Sequence, residues 1–163
     1  MADTVRPCLT FKDRAEEAVK HYVSLFPNSK ILSITRVDAD GGPIPKGKLL
    51  NAKFELDGRE FLAFDGGESF TFAEGISLMV NCKTQAEVDR YWTTLTENGG
   101  EEGPCGWLKD RFGVSWQIVP ESLGRMLSDP KSGDAEACMN AMLRMKKLDI
   151  ATLEKAYKGS AVA

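Results

Sequence analysis

Residues 7–26, PCLTFKDRAEEAVKHYVSLF, join a short strand pattern to an amphipathic helix, and this pair decides the fold. Val5–Phe11 predicts the strand. Asp13 is the predicted N-cap, and Glu16 three residues later completes a capping-box pattern. The helix is predicted from apolar side chains that recur at helical spacing: Ala15, Ala18, Val19, Tyr22, Leu25 and Phe26.

Three further strand patterns follow this helix, which the FPNS turn ends. They are KILSITRV at residues 30–37, LLNAKFELDG at 49–58 and REFLAFDGG at 59–67. Asp57-Gly58 predicts a tight hairpin, because such a turn needs positive φ at its two central residues. The predicted order is therefore β-α-β-β-β.

The same order begins again 69 residues later. Residues 75–82 predict a strand, residues 84–100 predict a helix closed by glycines, and residues 101–120 contain further strand signals and a turn at Gly113. The shift aligns Leu9 with Leu78, Phe11 with Val80, Val19 with Val88, Tyr22 with Tyr91, and Phe26 with Leu95. Because strand, helix and apolar phase agree, the sequence predicts an internal repeat and an α+β fold of two βαβββ modules.

The length of 163 residues suits one domain. We expect module 1 at about residues 4–68, module 2 at about 74–120, and a helical tail at about 121–159. The sequence of the tail predicts two helices. We expect the tail either to pack on its own sheet or to contact another subunit. Their apolar residues are Ala137, Met139, Met142, Leu143 and Met145 in the first, and Ile150, Leu153 and Tyr157 in the second.

Composition excludes several classes of function. A net charge of −3 without a dense basic block argues against nucleic-acid binding. The apolar runs are too short to span a bilayer, and the N-terminus has no signal-peptide core, so we expect a cytoplasmic protein. Four scattered cysteines without a CxxC pair favour free thiols over disulfides or zinc.

Few side chains favour metal or nucleophilic chemistry. His21 is the only histidine and lies off the apolar stripe of the first helix, so a surface position is expected. Cys82 comes just before the second helix, a place that favours a lowered thiol pKa. No glycine-rich turn leads from a strand into a helix, because Asp65–Gly67 is followed by ESFTFAEG, which is a loop. Nucleotide and S-adenosylmethionine cofactors are therefore not expected.

Three segments, PCLTFKDRAEEAVKHYVSLFPNSKI at 7–31, CGWLKDRFGVSWQIVP at 105–120 and MLRMKKLDIATLEKAYKG at 142–159, carry a family resemblance. They resemble the PhnB-like branch of the vicinal oxygen chelate superfamily, which includes glyoxalase I and bleomycin-resistance proteins. The resemblance implies sheets curled around a cavity and a homodimer, with the modules paired either within one chain or across chains. Some similar proteins carry a name that implies demethylubiquinone methyltransferase activity, which the sequence does not support.

Catalytic members of that superfamily hold a metal with His and Glu from the first and last strands of each module. By resemblance, these positions fall here on residues that are neither: Pro7, Gly75 or Ile76, Phe61 or Ala63, and Gln117. Asp65 is the nearest carboxylate, and a shift of one residue would bring Cys8 inward. We therefore expect no catalytic metal and no cofactor.

Three functions remain open. The first is metal-free binding of an unidentified small organic ligand between aromatic walls. The second is an enzyme that uses a residual polar set or a weakly held metal. A third and less favoured reading makes the chain an assembly module. No catalytic residue is assigned, and the candidate pocket residues are Cys8, Thr10, Asp65, Phe72, Trp107, Ser115 and Gln117.

Overall fold

The computed structural model describes residues 5–159 and shows an α+β fold. It forms two compact units, one ending at Phe72 and the other beginning at Ala73. Each unit contains one four-stranded mixed sheet. No helix within the described residues is both long enough and apolar enough to cross a membrane.

The first unit has the predicted βαβββ order. Its elements are β1 (Cys8–Phe11), α1 (Ala15–Leu25), β2 (Lys30–Arg36), β3 (Leu49–Leu56) and β4 (Arg59–Asp65). The sheet order is β1-β4-β3-β2, with β1 parallel to β4 and the other pairs antiparallel. The predicted hairpin is confirmed, because Asp57 and Gly58 have φ of 47° and 76°.

The two faces of the first sheet differ in burial. Leu9 and Phe11 of β1 lie on the face buried with α1, as do Phe54 and Phe61, whose rings stack 5.5 Å apart. Cys8 and Thr10 alternate with them and are exposed or half-buried. The period-two pattern of a strand therefore separates a packed face from an open one.

The start of α1 differs from its prediction. Asp13 does not cap the helix, and the N-cap is Arg14, which makes no capping bond through its side chain. Asp65, at the end of β4, instead accepts a 2.7 Å hydrogen bond from the Ala15 amide. The capping-box prediction is thus wrong, because a carboxylate brought in by the sheet supplies the acceptor.

Glu16 in the first turn of α1 joins the helix to β2. Its carboxylate lies 2.9 Å from the Arg36 guanidinium and 2.8 Å from the Lys20 ammonium. Hydrogen bonds from Arg36 and then from Lys20 lower the pKa of Glu16 to about 2. The negative charge also suits the N-terminal end of the helix dipole.

The second unit repeats the order of the first, which confirms the repeat. Its elements are β5 (Leu78–Cys82), α2 (Gln85–Thr96), β6 (Glu101–Glu102), β7 (Trp107–Lys109) and β8 (Ser115–Pro120), in the sheet order β5-β8-β7-β6. Again the first strand pairs in parallel with the last. Here α2 has a local cap, since Thr84 Oγ1 accepts from the Glu87 amide and Glu87 accepts from the Lys83 amide.

A buried carboxylate organises the hairpin between β7 and β8. Asp110 is 3% exposed, and its Oδ1 accepts hydrogen bonds from the amides of Phe112 and Val114. Its Oδ2 accepts from the indole Nε1 of Trp116 at 2.8 Å. Gly113, with φ of 91°, confirms the predicted turn. Asp110 therefore holds both the turn and the central aromatic residue of β8.

The tail has three helices where two were predicted: α3 (Glu121–Ser128), α4 (Ala135–Leu143) and α5 (Ile150–Lys158). Met145, predicted in a helix, follows the end of α4. Of the two predicted alternatives for the tail, packing on its own sheet is what the structure shows. A buried cluster of Leu123, Met126, Cys138, Leu148 and Leu153 packs with Val119 of β8. The tail is an integral part of the second unit.

Candidate functional site

The face of the second sheet opposite α2 carries a row of three side chains. In the strand register Trp107 of β7 pairs with Gln117 of β8, which pairs with Met79 of β5. The neighbouring pair, Leu108 and Trp116, is buried on the α2 side. Because side chains alternate along a strand, the row lies on the outer face, which we call the open face. Met79 is 56% exposed there.

Gln117 is oriented on this face by a hydroxyl. Its Nε2 donates a 2.8 Å hydrogen bond to Oγ of Ser77, the residue just before β5. No partner is recorded for the carboxamide oxygen among residues 5–159. The amide is therefore fixed at one end and can accept a hydrogen bond at the other.

A groove of about 470 Å³ opens at the edge of the same sheet. Two of the predicted pocket residues, Trp107 and Ser115, line it. Ser115 is 3% exposed, and no partner is recorded for its hydroxyl within the described part of the chain. The other lining residues are Glu74, Glu101, Glu102, Gly103, Pro104, Leu108 and Lys109. The groove thus combines an aromatic wall, a buried hydroxyl and charged sides.

One ion pair crosses the groove lining. Lys109 Nζ lies 2.6 Å from Glu74 Oε1. The hydrogen bond between them raises the pKa of Lys109 and lowers that of Glu74. Both groups therefore stay charged at neutral pH and largely neutralise each other.

The remaining predicted residues lie in the first unit, on two different faces. Cys8 and Thr10 share the face of the first sheet that lies opposite α1. Burial raises the pKa of the Cys8 thiol, and a hydrogen bond with Thr10 partly opposes this rise. Asp65 pairs with the α1 amide on the other face. Phe72 packs edge-on against Phe11 with ring centroids 5.1 Å apart. Asp65 and Phe72 thus already have partners inside the unit.

The positions that correspond by resemblance to metal ligands are not arranged as a metal site. Phe61 and Ala63 are buried on the α1 face of β4, and Ile76 is an 81% exposed residue before β5. Across the described residues, no three His, Cys, Asp or Glu side chains are grouped where they could hold a metal ion. The residues present do not fit the four-ligand metal centre that the resemblance to the vicinal oxygen chelate superfamily implies.

The prediction of a lowered thiol pKa for Cys82, the cysteine before α2, is wrong. Cys82 does precede the helix, but it is 1% exposed, and burial raises its thiol pKa to about 12. Desolvation of the thiolate outweighs the helix N-terminus. Cys138 is also buried with a raised pKa, and all four cysteines are free thiols. The structure favours no cysteine as a nucleophile.

Sequence reasoning missed the acidic side of the groove. Glu101 and Glu102 lie on the two-residue strand β6, which is too short to show a strand pattern. Glu74 lies in the loop before β5. The only available signal was the density of carboxylates beside the glycines and Pro104 in ENGGEEGPCGW, residues 97–107.

Comparison with known proteins identifies the family to which the chain belongs. A family model described as 3-demethylubiquinone-9 3-methyltransferase matches residues 3–119. A solved Bacillus cereus PhnB protein, which carries the same methyltransferase name, is 36% identical, with a TM-score of 0.65 over 72% of this chain and 99% of that one. No curated protein matches the chain.

Two more distant structures share the fold. Protein PA1353 of Pseudomonas aeruginosa is 22% identical, with a TM-score of 0.61 over 74% of this chain and 98% of that one. A Listeria monocytogenes fosfomycin resistance protein, FosX, solved with Mn(II) and a dihydroxypropylphosphonic acid, is 15% identical, with a TM-score of 0.54 over 78% of this chain and 98% of that one. FosX is a vicinal oxygen chelate protein. The chain therefore has the vicinal oxygen chelate fold and belongs to the family described as 3-demethylubiquinone-9 3-methyltransferase.

Proposed function

We propose that this chain binds a small organic molecule in the groove beside Trp107, without a resident catalytic metal. The observation that carries the proposal is that the half-buried Trp107 indole and Ser115, a 3% exposed serine whose hydroxyl has no partner within residues 5–159, line one groove of about 470 Å³. That volume lies within the range of small-molecule sites, which combine apolar walls with few polar groups. Gln117, the register partner of Trp107, lies outside the groove lining and offers a fixed acceptor on the adjoining open face.

Methyl transfer, which the family name implies, finds no support in the strand-to-helix turns. These turns are Lys12–Arg14 before α1 and Lys83–Thr84 before α2, and neither contains glycine. A dinucleotide-type or S-adenosylmethionine site would need backbone amides exposed at such a turn. Binding is therefore proposed in place of methyl transfer.

The binding proposal is tested through tryptophan emission. Trp92 and Trp116 are 3% and 2% exposed, so a ligand in the groove acts mainly on Trp107. We expect compounds from a library of small aromatic and alkyl molecules to change the emission saturably. Trp107→Phe is expected to remove that change while far-ultraviolet circular dichroism stays unchanged. An emission change that persists in Trp107→Phe contradicts this location.

The second claim of the proposal, that no catalytic metal is resident, needs its own measurement. Thermal unfolding is followed with Mn²⁺, Zn²⁺, Ni²⁺ and Mg²⁺, and again with chelator. A ligand that binds only the folded state raises the melting temperature as its concentration rises above its Kd. We expect no saturable rise with any of these ions. A saturable rise, or stoichiometric metal in the purified protein, contradicts the proposal.

A further inference from the structure

The charge of the groove lining is unbalanced. Two carboxylates, those of Glu74 and Glu101, lie with a single ammonium, that of Lys109, in the groove lining, whereas the Glu102 carboxylate turns to the α2 side and bonds Trp92. Glu74 pairs with Lys109, and Glu102 pairs with Lys146, which leaves Glu101 as the carboxylate in excess. The potential inside the groove is therefore negative, and it favours positively charged ligands.

The two carboxylates of β6 differ in how they are held. Glu102 accepts a 2.8 Å hydrogen bond from Trp92 Nε1 and lies 3.7 Å from Lys146 Nζ. Glu101 makes no hydrogen bond and no ion pair within 4 Å among the described residues, and its one electrostatic neighbour there is Lys109, whose ammonium is bonded to Glu74. Glu101 is thus the carboxylate available to a ligand.

Glu101 and Trp107 lie on the same side of the sheet. Glu101 is the register partner of Lys109, which is two residues from Trp107 along β7. A residue and its diagonal neighbour on the next strand are roughly 7–8 Å apart, within reach of long and aromatic side chains. A group of a few atoms can therefore contact the indole face and the Glu101 carboxylate together.

An indole face and a carboxylate together recognise a cation. The negative face of the tryptophan ring attracts ammonium groups, and tryptophan is the most effective aromatic residue in this role. Ser115 supplies a second, independent feature, since the residue is 3% exposed and lines the groove, and its hydroxyl has no hydrogen-bond partner among the described residues. It can bond a hydroxyl or carbonyl group on the ligand.

We propose that the groove selects a small organic cation, an alkylammonium or quaternary ammonium compound. Its cationic head lies between Trp107 and Glu101, and its polar tail contacts Ser115. This inference rests on the proposed function and names its ligand class. An anion finds no equivalent site, because Lys109, the one cation of the lining, is already paired with Glu74.

The test uses two molecules of matched shape. Choline and 3,3-dimethylbutan-1-ol differ in that a quaternary nitrogen replaces a quaternary carbon, so they separate charge from size. Titrations follow tryptophan emission and are repeated by calorimetry at low salt. We expect choline to bind at least about threefold more tightly, in line with an exposed cation–π contact and one nearby carboxylate. Raising salt should reduce this preference through screening.

Variants assign the preference to residues. Glu101→Gln should lower choline affinity about two- to fivefold and leave the neutral alcohol unchanged, whereas Glu101→Asp should retain most of the preference. Glu97→Gln is the matched control, since Glu97 is an exposed carboxylate of the same unit outside the groove. Near-ultraviolet circular dichroism checks that each variant keeps its fold.

The outcomes separate this inference from the proposed function. Equal affinity for both molecules, or tighter binding of the matched anion 3,3-dimethylbutanoate, overturns the cation preference. If neutral library compounds still bind in a Trp107-dependent way, the binding proposal stands without it. If no library compound and neither matched molecule binds, both proposals fail.

Discussion

Replacing Asp110 with asparagine tests the physical account of the second unit most directly. The carboxylate is 3% exposed and accepts from two backbone amides through Oδ1 and from the Trp116 indole through Oδ2. Asparagine keeps one oxygen but replaces the other with an NH₂ group. If the oxygen stays with the backbone, the NH₂ group meets the Trp116 N–H, and two donors face each other in a buried place.

The expected cost follows from these three bonds. Two charge-assisted bonds become neutral, and each falls from roughly 1.5–3 to roughly 0.5–1.5 kcal/mol. The third bond is lost and leaves a buried donor unsatisfied, which costs about 1–3 kcal/mol. Burying an amide is easier than burying a carboxylate, which offsets part of this loss. We expect Asp110→Asn to lower the free energy of unfolding by about 2–4 kcal/mol.

The assay is urea unfolding followed by circular dichroism, with a double-mutant cycle to isolate the indole bond. Trp116→Phe removes the N–H donor and most of the conflict that asparagine creates. Asp110→Asn should therefore cost at least about 1 kcal/mol less in the Trp116→Phe background. A single-variant loss below about 0.5 kcal/mol, or purely additive losses, would refute this role for Asp110.

Asp65→Ala should lower the free energy of unfolding by about 1 kcal/mol in urea, because the first amide of α1 loses its acceptor. Asp65→Asn keeps an oxygen acceptor and should lower it less, and equal losses in the two variants would contradict this role. Arg36 and Lys20 lower the pKa of Glu16 from 4.5 to about 2, so the ionised Glu16 contributes stability that is complete above pH 4.5 and is lost as pH falls towards 2. Glu16→Gln should therefore be about 1 kcal/mol less stable than the unchanged protein at neutral pH, and this difference should vanish at low pH. A deficit that persists at pH 2 would rule this out. A maleimide at pH 7 should label exposed Cys8 well before the buried Cys82 or Cys138, as read by mass spectrometry of digests. If the homodimer implied by the resemblance forms, sedimentation velocity gives twice the monomer mass, whereas a plain monomer at micromolar concentration counts against it.

The fold was predictable because it is specified by local patterns. Alternation in β1 and β5, helical spacing in α1 and α2, and the Asp57-Gly58 turn each depend on neighbouring residues. The cap of α1 was not predictable, because its acceptor, Asp65, lies 50 residues from Ala15. Only the parallel pairing of β1 with β4 brings the two together.

The candidate site was predictable in part for the same reason. The alternation of β8 indicates which residues share a face with Gln117, and Trp107 stood out as an aromatic residue near a flexible turn. The acidic wall was not predictable, because Glu101 faces the groove only through the pairing of β6 with β7. Asp110 resembles a turn residue in sequence, whereas its burial and its bond to the Trp116 indole arise only when the hairpin of β7 and β8 is formed.

The helical tail gives the groove a fixed wall. Gly103 and Pro104 line the groove, and the two residues that follow them are bonded to the segment after α4. The Cys105 amide donates to the Met145 carbonyl, and the Gly106 amide donates to the Lys146 carbonyl, each at 2.8 Å. Gly106 has φ of 83°, and a Cβ there would lie 2.8 Å from the Ile118 carbonyl oxygen, so this position requires glycine.

The same segment is anchored to α2 as well as to the hairpin. Gln85 donates to the Leu148 carbonyl and accepts from the Ile150 amide, and Leu148 is fully buried in the tail cluster. Packing among the tail helices thus positions the loop that leads into Trp107 at the start of β7. A ligand that contacts Trp107 meets a preorganised wall, and less of its binding energy is lost in ordering that loop.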